Sequence, residues 1–336
     1  MSLKSPKVMV LMPVYNGEKY IKDAVDSILS QTYRDFEFLI INDGSTDGSM
    51  EVLKTYKDPR IHIVHNEKNL GVILTLNKGI DLAQGEYIAR MDCDDISLPE
   101  RLEKQVSFMD AHPEIAACGT WLETMDTRES ILRYPVAPDI IKCRLLFENS
   151  MAHPSTIIRT HILREDNLRY DPDYKHAEDY QFWVKISRRH LLTNIDEVLY
   201  RYRIHDKNVS VVHKGVQLDS ANKVRKGQLM DLGIEATEEK LALHSDISMW
   251  KSQISEEFLS KAHGWLTEIQ KANERSRIYN PQTLQGELAR RWYAMCSKAA
   301  TRGLKTWRIF YDSPLGDSMQ KIKLLLKCGL KYGGEN

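Results

Sequence analysis

Gly85-Glu86-Tyr87-Ile88-Ala89-Arg90-Met91-Asp92-Cys93-Asp94-Asp95 is the stretch that decides the fold. Residues 86–90 read as a buried strand bounded by Gly85, and three carboxylates then arrive within four positions. Like charges this close repel. A hard divalent cation with oxygen ligands relieves that repulsion, and Mg²⁺ is often held by one or two carboxylates plus substrate phosphates. In open α/β sheets, ligands bind at the carboxyl ends of strands. The functional reading is a metal and diphosphate site; the structural one is a solvated acidic turn. The rest of the chain decides between them.

Upstream, residues 7–14 form an apolar run ending near Pro13, a buried first strand. Asn16-Gly17 signals a turn, and residues 18–31 place Tyr20, Ile21, Ala24, Val25, Ile28 and Leu29 at helical spacing. Residues 36–41 form a second strand that runs into Asn42-Asp43-Gly44-Ser45-Thr46-Asp47, a turn and helix cap in one. A helix to about residue 56, a strand over 60–64 and a helix over 71–83 lead to the carboxylate stretch. Pro99 opens a helix over 100–111, and 115–119 is a fifth strand. Alternating strands and helices with short connections predict a parallel sheet with helices on both faces. Asp43 and the Asp92–Asp95 stretch then fall on one rim of that sheet. Further on, 155–158 and 198–204 read as strands, and 177–189 as a helix that begins with Glu178-Asp179.

Beyond about residue 215 only helices are expected: 217–232, a short one capped by Thr237, then 255–278, 284–301 and 318–330. The expected division is a catalytic domain over 1–215 and a helical region over 216–336.

Pro13-Val14-Tyr15-Asn16, Asn42-Asp43-Gly44-Ser45-Thr46-Asp47, Gly85-Glu86-Tyr87-Ile88, Asp92-Cys93-Asp94-Asp95 and Glu178-Asp179 occur in this order. Together they resemble the inverting GT-A glycosyltransferases of family two, over roughly residues 6–210. The resemblance implies a Rossmann-like, mostly parallel sheet flanked by helices, with an all-α C-terminal extension. It implies transfer of a sugar from a UDP- or dTDP-sugar to a hydroxyl of a saccharide or lipid-linked acceptor, in bacterial surface polysaccharide assembly. By that similarity Asp43 accepts from the N3–H of a uracil or thymine base, Pro13 and Tyr15 line the base and ribose pocket, and Asp92 lies near the ribose. Asp94 ligates a divalent metal, Mn or Mg, on the diphosphate, and His205 completes the metal shell. Imidazole is a softer ligand than carboxylate and suits Mn²⁺ better than Mg²⁺. Asp179 is the general base that takes the hydroxyl proton. A helix N-terminus lowers a carboxylate's pKa and a dry pocket raises it.

Several neighbours have bland alternatives. Asp47 reads as a helix cap, Glu178 as an acceptor ligand or a surface charge, Trp183 as core or a ring that stacks on a sugar, and His153 as a weak acceptor-side candidate. Relatives often carry an Arg before the Asn at the position of Asn77, where Leu76 stands here. Arg90 either reaches the diphosphate in its place or pairs with the carboxylates.

Composition, with 42% hydrophobic and 28% charged residues, is that of a soluble globular protein. Five cysteines without a Cys-x-x-Cys pair suggest a reducing, cytoplasmic setting. Neither a signal peptide nor a membrane span is expected. From Arg290 to the end, ten Lys and Arg face Asp312, Asp317 and Glu335, a net of +7 in a chain whose total is zero. Met319, Ile322, Leu325, Leu326 and Leu330 recur at helical steps among lysines. This pattern fits either a peripheral contact with the inner face of the membrane or a helix packed on the protein. An acidic body without a basic recognition helix excludes nucleic acid as a partner. The competing functional reading is a catalytically inactive membrane-docking scaffold; a nucleotidyltransferase lacks its Gly-rich, basic N-terminal loop here.

Overall fold

The computed structural model describes residues 6–125, 129–205, 212–251, 253–316 and 318–332. Two compact units are present. The first comprises Met1–Ile141 and Asn149–Ala221, the second Lys142–Glu148 and Asn222–Asn336.

The first unit is built on one mixed sheet. Strands β1 (Val8–Val14), β2 (Phe36–Asn42), β3 (Ile61–His65) and β4 (Tyr87–Arg90) pair in parallel, in the order β3-β2-β1-β4. Their crossovers are α1 (Ile21–Leu29), α2 (Ser49–Leu53) and α3 (Val72–Leu82). After β5 (Ile96–Ser97) and α4 (Arg101–Ala111) come β6 (Ile115–Met125), the short β7 (Ile131–Leu132), α5 (Pro138–Leu145), β8 (Ile157–Arg159), α6 (Thr160–Glu165), α7 (Glu178–Ser187) and β9 (Leu191–Arg203). The order continues from β4 through β8, β6 and β9 to β5, with β7 on β6.

The sheet is not wholly parallel: β7 runs antiparallel to β6. Strand β8 runs antiparallel to both β4 and β6, and β5 runs antiparallel to β9. Strands β6 and β9 extend to 11 and 13 residues, pair in parallel, and carry register shifts between Thr120 and Leu122. There β9 carries the extra residues, since Asp196, Glu197 and Leu199 have no partner in the register with β6.

Packing follows the expected periodicities. Val8, Val10, Met12 and Val14 alternate along β1 onto one face, where Ile21, Ala24, Val25 and Ile28 of α1 join the same buried cluster. Full burial of each Val, Ile or Met among them contributes roughly 1.5–3 kcal/mol. Because β1 lies between β2 and β4 in parallel register, the turns after β2 and β4 share one rim.

The second unit is helical: the end of α8 (Lys214–Asp231), then α9 (Glu238–Ser248), α10 (Glu256–Ser276), α11 (Pro281–Lys298), α12 (Leu304–Tyr311) and α13 (Ser318–Tyr332). Thr237, Ser255 and Asn280 each cap the helix that follows by accepting a backbone N–H. Leu229, Leu259, Leu266, Trp292 and Phe310 form its core, which also takes Cys143, Leu146 and Phe147 from the Lys142–Glu148 segment. Arg291, fully buried, is held by Glu287 and Glu148 at 3.0 Å each.

Helix α12 is an element that periodicity did not predict. Helix α13 buries Leu324 and Cys328, while Met319, Ile322, Leu325 and Leu326 face solvent. The side chains of Leu330 and Lys331 lie outside the described residues, as does the expected loop from Asp206 to Ser210. Among the described residues no helix is long and apolar enough to cross a membrane.

Candidate active site

The loops after β1 and β2 clasp one another. Asn16 N–H donates to Ser45 Oγ (3.1 Å), and Thr46 N–H donates to Asn16 Oδ1 (2.8 Å). Glu18 N–H donates to Asp47 Oδ2 (3.0 Å), and Gly48 N–H donates to Glu18 Oε2 (3.0 Å). Asp47 also accepts from Ser49 N–H, so it is a loop tie rather than a pocket group. Gly44 has φ +71°, and a Cβ there would lie 2.7 Å from the Lys68–Asn69 backbone. Only glycine fits that approach.

Asp43 is buried and fixed at three points. Its carboxylate accepts from Asn66 Nδ2 (2.8 Å), Leu70 N–H (2.9 Å) and Gly71 N–H (2.9 Å). A carboxylate has about four acceptor sites, so one remains for a ligand. Beside it Pro13 is half-buried and Tyr15 is exposed at the end of β1.

The turn after β4 is gripped by the end of β9. Tyr200 Oη accepts from Asp92 N–H (3.1 Å), Arg203 N–H donates to Asp95 Oδ1 (2.8 Å), and Arg203 Nε donates to the Asp94 carbonyl (2.7 Å). Asp95 is fully buried, and burial followed by the charges of Asp94 and Asp92 raises its pKa well above the ordinary value. The third carboxylate of the stretch is therefore structural. Asp94 lies 2.9 Å from His205 Nε2 through Oδ2, and the His205 ring stacks on Tyr20 at 5.4 Å. Burial and then Asp92 raise the Asp94 pKa, and the His205 bond opposes them.

Arg90 points inward. Its side chain is buried and pairs with Asp92 Oδ1 through Nη2 (2.7 Å). It therefore pairs with the carboxylates and does not extend outward. Leu76 lies in the core, and Asn77 holds the Tyr170 backbone by two bonds of 2.8 and 2.9 Å.

Glu178 and Asp179 open α7. Asp179 is partly buried; its Oδ2 accepts from Asn149 Nδ2 (2.7 Å), and its Oδ1 accepts from Tyr180 N–H (2.7 Å). Burial pushes its pKa up to about 6, against those two bonds and the positive charge of Arg90. Burial thus outweighs the helix N-terminus. Glu178 is buried too, with Oε2 lacking a hydrogen-bond partner among the described residues. Burial and then the Asp179 charge push its pKa up to about 7. Glu178 is thereby not a surface charge. His153 is half-buried against Tyr170 Oη (2.8 Å), with its pKa well below the ordinary value through desolvation and Arg90. Trp183 is fully buried core.

Asn149 was not legible as a site residue. It sits 30 positions from Asp179 in a polar Glu148-Asn149-Ser150 break that reads as an ordinary loop. Among the described residues no three His, Cys, Asp or Glu side chains converge to hold a metal ion.

Comparison with known proteins carries the identification. The "Glycosyl transferase family 2" model matches residues 9–163. An uncharacterized glycosyltransferase of Haemophilus influenzae is 37% identical over 234 residues, 66% of this chain and 72% of that protein. The chain belongs to glycosyl transferase family 2. This family 2 member is therefore a glycosyltransferase, with the mixed, mostly parallel GT-A sheet and a helical C-terminal region. AmsE, the amylovoran biosynthesis glycosyltransferase of Erwinia amylovora, is 32% identical over 204 residues, 58% of this chain and 75% of AmsE. In fold, the chain is similar to residues 1–349 of S. aureus TarS, with a TM-score of 0.58 and 17% identity, over 91% of this chain and 90% of that one.

Proposed function

We propose that this glycosyltransferase moves a sugar with inversion from a UDP- or dTDP-sugar to a hydroxyl of a saccharide or lipid-linked acceptor, with Asp179 as the general base. The observation that carries this reading is the state of Asp179. A partly buried carboxylate held near pKa 6 is ionised at neutral pH, yet is basic enough to take a hydroxyl proton. Arg90 bonds Asp92 and also lowers the pKa of Asp179, so one buried cation serves both the donor and the acceptor carboxylates.

On the donor side, Asp43 has one free acceptor site for a uracil or thymine N3–H, and Pro13 and Tyr15 flank base and ribose. Asp92, its Oδ1 engaged by Arg90, would meet the ribose through its other oxygen. TarS of the same fold is described in complex with UDP and with UDP-GlcNAc, which supports a uridine donor.

Asp94 and His205 would hold a divalent cation, Mn²⁺ or Mg²⁺. Asp94 Oδ2 and His205 Nε2, 2.9 Å apart, bring a carboxylate and an imidazole together, a donor set that suits such an ion. Further ligands would come from the diphosphate. The cation, when bound, offsets the charge that develops on the leaving diphosphate. Asn149 orients Asp179 toward the hydroxyl.

A thermal-shift comparison of UDP, dTDP and GDP, each with Mn²⁺, tests the donor side, since ligands of the native state raise stability. UDP or dTDP should give the largest shift. Preference for GDP contradicts the assignment of Asp43.

A further inference from the structure

Helix α13 presents an apolar face to solvent on the side away from its packed one. Met319 is 65% exposed, Ile322 61%, Leu325 38% and Leu326 61%, whereas Leu324 and Cys328 are fully buried. At 100° per residue the first four form a stripe on one side, with the buried pair on the far side. A helix that only packs on its neighbours buries its apolar stripe and leaves the opposite face polar. Here both faces are apolar.

The rims of the exposed stripe are lysines. Lys323 and Lys327 are exposed along one edge, with no carboxylate partner among the described residues, and Lys321 lies on the other edge with its ammonium 4.7 Å over the Tyr311 ring. From Ser318 to Tyr332 there are four lysines and no Asp or Glu. Helix α12 lies beside it: Trp307 Nε1 donates to the Lys321 carbonyl (3.0 Å), and Leu304 and Tyr311 are more than half exposed.

We propose that the exposed face of α12 and α13 docks on an anionic lipid bilayer. Apolar side chains enter the headgroup boundary, and the lysines along the rims reach the phosphates. Charge selects this occupant over a second copy of the chain. Two copies meeting face to face would bring their lysines together with no carboxylate between them. The helix is too short and too charged to span, so the contact lies in the plane of the surface.

The test is co-sedimentation of the full chain with vesicles of phosphatidylglycerol and phosphatidylcholine, against pure phosphatidylcholine, at low and high salt. It reads no sugar transfer, so it stands apart from the proposed donor and base. Binding should require the anionic lipid and weaken in high salt. Lys323→Gln with Lys327→Gln should lower partitioning about tenfold or more. Ile322→Asp with Leu326→Asp should abolish it while circular dichroism stays that of the parent. Should the aspartate pair unfold the chain, the glutamine pair alone decides, because both lysines are exposed. Equal binding to neutral vesicles, no binding, or a dimer that the aspartate pair dissolves would overturn the proposal.

Discussion

Replacing Asn149 by Ala removes the side-chain amide that holds Asp179 Oδ2 at 2.7 Å. A hydrogen bond to a charged group is worth about 1.5–3 kcal/mol, and one pKa unit about 1.36 kcal/mol. The Asp179 pKa, about 6 in the parent, should therefore rise by roughly one to two units. At pH 7 the ionised fraction would fall from about nine-tenths to between about one-half and one-tenth. Turnover at pH 7 should drop about two- to tenfold and recover as pH approaches 9. The sign is that of a base: activity appears as pH rises through its pKa, so losing the amide moves the acid limb to higher pH. Glu178 titrates close by at about 7, so the limb belongs to the pair rather than to one residue. The assay is the pH dependence of single-turnover transfer for parent and variant. A loss that is uniform across pH would leave Asn149 a packing residue with no part in setting the Asp179 pKa. An unshifted limb with full activity would do the same.

Asp179→Asn should lower turnover by about 10²–10⁴-fold with little change in donor affinity; parental rates would reduce Asp179 to a helix cap. The same variant should be more stable than the parent at pH 8. Folding favours the protonated Asp179, so that contribution is complete below pH 4 and is lost as pH rises through about 6. The gain should be about 1–2 kcal/mol, below the full two-unit value because the group is partly exposed, and chemical melts at pH 4 and pH 8 read it. Asp94→Ala should abolish transfer and the Mn²⁺-dependent part of the UDP thermal shift, while leaving the apo melting temperature within a few degrees. Full activity in excess chelator would contradict the metal assignment.

Much of the first unit was legible because its signals are local. An apolar run followed by Asn42-Asp43-Gly44, or by Asp92-Cys93-Asp94-Asp95, marks the end of a strand wherever that strand pairs. The direction of β8 was not legible, since a strand buried on both faces reads as a continuous apolar run in either orientation. The tie from Asn149 to Asp179 and the inward turn of Arg90 are tertiary contacts that no period announces. The same holds for the membership of Lys142–Glu148 in the helical unit, where Phe147 supplies core to helices more than eighty residues later. Spacing revealed an apolar stripe on α13 but not which way it faces. Leu324 and Cys328 lie off the stripe, and their burial turns it outward.

A single displacement driven by Asp179 inverts the anomeric carbon, and the stereochemistry of the released sugar reports it. Water, which also carries a hydroxyl, can stand in for the acceptor when none is supplied. With an α-linked UDP-sugar, Mn²⁺ and no acceptor, proton NMR in the first minutes should show the β-anomer appearing first, before mutarotation mixes the two, and Asp179→Asn should suppress it. Early appearance of the α-anomer, or a sugar covalently retained on the protein, would contradict the account.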